Sequence, residues 1–238
     1  MDDQSAEEQL TAMSVHTLHR IDPPRGRVQR DHDHDHGDGG PLAMDPVSYA
    51  PPRPAPVALQ DMHPFLRRFA EEHAGLLQEL DAFEEAILSI GKVGYTREAD
   101  SRLKQFFGVL EQAFVPHNRR EEAILFPLLR ERLVASGEHA KGGEGLTATD
   151  LMEDEHAKAM QLAAVVLNFL GLVFRLPEQR SAMIVLDAAL EQAKNLIELL
   201  RLHVFREDSI VFPLAHRLLS AADFDALQAR ALTATSPA

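Results

Sequence analysis

The chain has 238 residues, 45% of them hydrophobic, enough for one domain of ordinary size with a real core and room for a tail. A net charge of -13 argues against nucleic acid or an anionic membrane as the main partner and mildly favours cations. Cysteine is absent, which excludes disulfides, thiolate nucleophiles and cysteine-ligated zinc or iron-sulfur sites, so any metal must be held by histidine and carboxylate.

Residues 1–56 hold eight of the fourteen prolines and the tract RDHDHDHGDGG. Such a stretch buries too little apolar surface to offset its chain entropy, and a disordered tail is expected there, with one folded domain over 57–238. The start, MDDQSAEEQL, is acidic where a signal peptide is basic and then apolar. No apolar run reaches the ~18 residues that a membrane span needs. A soluble, cytoplasmic protein is therefore expected.

From Pro64 onward Leu, Ala, Glu and Phe recur at helical spacing. A first helix is expected over 64–90, with Pro64 suited to the first turn and the GKVG loop at its end. A second spans about 98–134, a third 149–175 and a fourth 181–219, with a short terminal helix over 223–231. Pro127 and Pro213 fall inside the second and fourth, where each removes a backbone hydrogen bond and clashes with the carbonyl four residues back; a kink or break is expected at both. Strand-like alternation is absent. The expected fold is all-α, an antiparallel up-down four-helix bundle.

Each helix carries an apolar stripe with steps of three and four, and a histidine interrupts every one. The first reads Leu66, Phe69, His73, Leu76, Leu80; the third reads Met152, His156, Met160, Ala163. On the second and fourth the interruption is a pair, His117 with Glu121 and His203 with Glu207, whose i, i+4 spacing stacks imidazole and carboxylate on one face. The pairs lie in a repeat: HNRREEAILFPL from 117 and HVFREDSIVFPL from 203 agree at seven positions. At ~1.5 Å per residue, His73 lies roughly 14 Å up one helix and His117 roughly 28 Å down the next, itself about 39 Å long, so the levels coincide. Two carboxylates buried together repel unless something positive lies between them. Six groups exceed a closed zinc site and suit two metal ions, with iron or manganese favoured and zinc tolerated.

On these residues the sequence resembles the hemerythrin-like family, the HHE cation-binding domain. The pattern is matched by His73, by His117 with Glu121, by His156 and by His203 with Glu207, and the EExxLFP and EDxxVFPLA stretches are similar too. The likeness covers about residues 57–230. It implies a four-helix bundle holding two iron ions, with a small diatomic ligand or peroxide as the partner. Four histidines with two glutamates is similar to the subfamily linked to repair of damaged iron centres, which often adds a cysteine-bearing N-terminal module that this chain lacks. Oxygen-carrying members use five histidines with one Glu and one Asp. Ferritin-like di-iron proteins use Glu-x-x-His, a spacing not written here.

Glu122 and Asp208 point ~100° away from the ligand glutamates and are read as a solvated face, as are Glu72, Asp154 and Glu155. Carboxylates must still orient the imidazoles, but sequence does not name them. His63 and His216 lie too far along their helices to join the layer; His139 is read as loop surface, and Tyr49 and Tyr95 lie off the seams. A metal centre that binds or reduces O2, NO or peroxide is expected. Storage or sensing without turnover, or a metal staple for the bundle, stands as the alternative.

Overall fold

The computed structural model describes residues 54–140 and 145–234, all of it helix, turn or irregular chain with no strand. The tail expected over 1–56 lies outside the described residues except for 54–56.

Helix α1, Pro64–Val93, starts with Pro64 in its first turn and is capped by the His63 ring, whose Nδ1 accepts from the Phe65 N–H at 3.2 Å. It outlasts the expected end at Ile90 by three residues. A helical glycine costs only about 1 kcal/mol, so Gly91 is absorbed beside buried Ile90, and the helix stops instead at Gly94, whose φ of 86° favours glycine.

The second helical run, α2, occupies 97–135 and begins at Thr96, whose hydroxyl accepts from the Ala99 N–H. Helix α3, Ala148–Val173, opens on a capping box in which Thr147 and Asp150 exchange hydrogen bonds. The run α4 occupies 179–218, and α5, Ala221–Ala234, closes the described chain.

At Pro127 and Pro213, where a kink or break is expected, the helical run does not break but widens by one π turn before each proline. The turns are Glu121–Leu125 and Glu207–Val211, and a third, Leu110–Phe114, precedes Pro116. In each, the first residue's carbonyl accepts from the N–H five places on: Glu121 from Phe126, Glu207 from Phe212 and Leu110 from Val115. The carbonyl four residues before each proline, the one its ring would strike, belongs to the middle residue of the widened turn. Two of the three turns begin at the glutamates of the repeat.

Packing joins α1 to α2, α2 to α3, α3 to α4 and α4 back to α1, a closed ring of four. The interior is divided. One cluster, with Leu80, Phe83, Phe106, Leu103, Val166 and Leu196, fills one end; the other, with Leu66, Phe69, Leu125, Leu129, Met152 and Leu214, fills the opposite end under α5. Each fully buried Leu or Phe contributes on the order of 1.5–3 kcal/mol, and the two clusters brace the polar layer between them from both sides.

Helix α3 contains an 18-residue stretch that, with a mean hydropathy of 1.4, has the length and composition of a membrane span, which corrects the expectation that no run is long enough. A core helix of a bundle passes the same test.

Candidate metal centre

His73, His117, Glu121, His156, His203 and Glu207 meet in the layer between the two clusters, all buried and both glutamates with no exposed surface. The imidazoles form two pairs. His73 Nε2 lies 3.2 Å from His117 Nε2, and His156 Nε2 lies 3.1 Å from His203 Nε2. Both carboxylates reach across the pairs. Glu121 approaches His117 at 3.4 Å and His156 at 3.5 Å; Glu207 approaches His73 at 3.0 Å, His203 at 3.4 Å and His156 at 3.9 Å.

The outer nitrogens explain why the inner ones converge. His73 Nδ1 lies 2.9 Å from Asp208, His117 Nδ1 2.8 Å from Glu72, His156 Nδ1 2.8 Å from Glu122 and His203 Nδ1 3.2 Å from Glu155. A ring that donates Nδ1–H to a carboxylate turns its Nε2 lone pair inward, the tautomer a metal requires. Arg120 pairs with Glu72 and Arg206 with Glu155, fixing two of these carboxylates in turn. Phe212 stacks on His73 and Phe126 on His156, while Phe114 meets the rings of His117, His156 and His203.

The reading of Glu155 as a solvated face is thereby corrected, since it is buried; Glu72, Glu122 and Asp208 do keep contact with solvent, but each also holds an imidazole. Each leaves its own seam by about 100°, but in a closed ring that direction faces the neighbouring helix. The signal for them was in the repeat: Glu-His recurs at 72–73 and 155–156, Arg at 120 and 206, an acid at 122 and 208, and Phe at 126 and 212. His63, His139 and His216 stand outside the layer, as expected; His63 stacks on Phe224 instead.

Among buried side-chain atoms without a hydrogen-bond partner are all four oxygens of Glu121 and Glu207. With the imidazoles neutral, no N–H faces them, and an uncompensated buried carboxylate is costly. The site therefore calls for positive charge, from a metal or from protons. Burial lowers the His73 imidazole, yet Asp208 and Glu207 outweigh it and hold it up at about 10. Burial acts the same way on His117, but Glu121 and Glu72 hold that ring at about 9. On His203 burial wins and the ring is lowered. Burial would raise Glu207, but His203 and His73 hold it below the ordinary carboxylate value. Two ligand groupings share Glu207: His73, His117, Glu121 and Glu207 on one side, His156, His203 and Glu207 on the other. The nitrogen and oxygen donor set fits a pair of divalent or trivalent cations.

A pH dependence follows, with its sign fixed by the raised imidazoles. In the metal-free chain their protonation contributes stability that is complete below the ordinary value of 6.5 and lost as pH rises through about 9 to about 10. The unfolding temperature of chelator-treated protein should fall across that window. Metal uptake near neutral pH should release protons to an indicator dye in weak buffer, and affinity should rise with pH.

Residues 65–215 match the family model of the hemerythrin HHE cation binding domain. Comparison with curated proteins finds no match.

Proposed function

Because the chain belongs to the hemerythrin HHE cation-binding domain family and is a metal-binding helical bundle, we propose that it is a non-haem di-iron protein that binds or reduces a small ligand: O2, NO or peroxide. The observation that carries this reading is the pairing of four inward imidazoles around two wholly buried carboxylates whose oxygens have no hydrogen-bond partner while those imidazoles are neutral. In it, His73 with His117 would hold one iron and His156 with His203 the other, and Glu121 and Glu207, each of which reaches both histidine pairs, would supply the carboxylates shared between them. Iron is preferred to manganese and zinc in this reading on the family resemblance, since the donor set itself also suits manganese.

When bound, the metal pair supplies Lewis-acid and electron-transfer chemistry to the ligand. The chain supplies the rest. Asp208, Glu72, Glu122 and Glu155 hold each ring's proton on Nδ1 and so keep Nε2 free. Phe114, Phe126 and Phe212 exclude water from the layer, which strengthens the charge interactions inside it. A cytoplasmic location and a part in oxidative or nitrosative stress, including repair of iron centres, belong to the same proposal.

The test is elemental analysis with an optical spectrum of protein purified in air. About two irons per chain, with a charge-transfer absorption that changes when NO or hydrogen peroxide is added, is the expected outcome. Metal that responds to neither would replace this reading with storage or a bundle staple.

A further inference from the structure

The two halves of the bundle are equivalent by sequence but not at the surface. Aligning His73 with His156 and His117 with His203 places Glu72 against Glu155, Gly75 against Lys158, Glu79 against Leu162 and Ala113 against Leu199. On the α3–α4 side, Leu162 and Leu199 pack onto the core, and the Glu155 side chain is 7% exposed. On the α1–α2 side the counterpart Glu72 is 32% exposed.

A groove of about 500 Å³ opens there, running between α1 and α2 down to His73 and His117. Leu76 and Phe114 form its apolar floor, and Gly75, Gln78, Gln112 and Ala113 edge it. The π turn Leu110–Phe114, which α4 does not repeat, lies along its wall. A Cβ built on Gly75 meets no atom within 4 Å, so a side chain there has open space, and the aligned position in the other half carries Lys158. The volume is more than ten times the ~30 Å³ share of one water, ample for molecules of a few atoms.

We infer that small ligands enter the metal centre through this groove, at the His73–His117 pair, and that Gly75 and Ala113 keep the entrance open. The proposal rests on the ligand-binding function above and adds to it a side and a gate. The α3–α4 pair is the closed, supporting half.

The experiment uses the full metal-loaded chain with azide and nitric oxide as probes in stopped flow. Gly75→Leu with Ala113→Leu would fill the groove, the second with the residue that the other half carries as Leu199, and leucine favours the helix over glycine. A blocked path slows entry and exit alike, so association and dissociation rates should both fall about tenfold or more while Kd moves less than about twofold. Metal content and helical circular dichroism should stay at wild-type values. Should the double variant lose metal, Ala113→Leu alone is read, with a smaller slowing expected in both rates. Variants that bind both probes as fast as wild type overturn the entrance while leaving the metal centre's function standing. A Kd shift with unchanged dissociation also overturns it. A metal-loaded wild type that responds to neither probe overturns both this inference and the function it rests on.

Discussion

Glu207→Ala is expected to strip most of the metal from the protein. The carboxylate has no exposed surface and reaches His73, His156 and His203 across both histidine pairs, so its loss removes a donor from each proposed metal position at once. It also removes one of the two carboxylates, Asp208 being the other, that hold the His73 imidazole up when metal is absent. Affinity should drop by more than the 10–100-fold that substitution of an orienting partner typically costs. Glu121→Ala should do the same, since Glu121 spans His117 and His156. The measurement is metal per chain after dialysis against a weak chelator, with Glu71→Ala, on the exposed face of α1, as control. Helical circular dichroism should persist, because the apolar clusters on either side of the layer are untouched. Wild-type metal content in both glutamate variants would remove the bridging assignment.

Glu155→Gln is expected to weaken metal binding by about 10–100-fold although Glu155 touches no proposed metal position. Its carboxylate holds His203 Nδ1 and pairs with Arg206, and it is the most buried of the four outer acids, at 7% against 32% for Glu72, 40% for Asp208 and 41% for Glu122. The amide keeps the shape but can offer an N–H where an acceptor is needed. It also leaves Arg206 half-buried beside a neutral group. Asp208→Asn and Glu122→Gln should fall in the same range at its lower end, because water can substitute at their exposed positions. Titration of metal-free variants against a coloured chelator measures the ratios. Equal affinity in wild type and Glu155→Gln would show that the outer carboxylates do not orient the rings.

Much of this protein was decided by sequence alone. Steps of three and four put one histidine on every helix's buried stripe, and i, i+4 spacing put Glu121 and Glu207 beside their histidines, because a helix fixes which of its own residues share a face. Helix lengths then set a common level for all six groups, within the slack of a turn. The prolines were legible as interruptions, but not their outcome. Whether a helix breaks or widens depends on whether its two halves remain packed, and here Leu125 and Phe126 are buried before Pro127 and Leu129 after it, as are Val211 and Phe212 before Pro213 and Leu214 after it.

The outer ring belonged to the tertiary structure. Glu72, Glu122, Glu155 and Asp208 lie off their own seams, and a single helix gives no way to distinguish solvent from a neighbour in that direction. The closed ring of four helices brings His117, His156, His203 and His73 to them, each from another helix. The open groove beside Gly75 and Ala113 is likewise a property of two helices meeting. Side-chain volume is written in the chain, but the space that a missing side chain leaves appears only once both walls are in place.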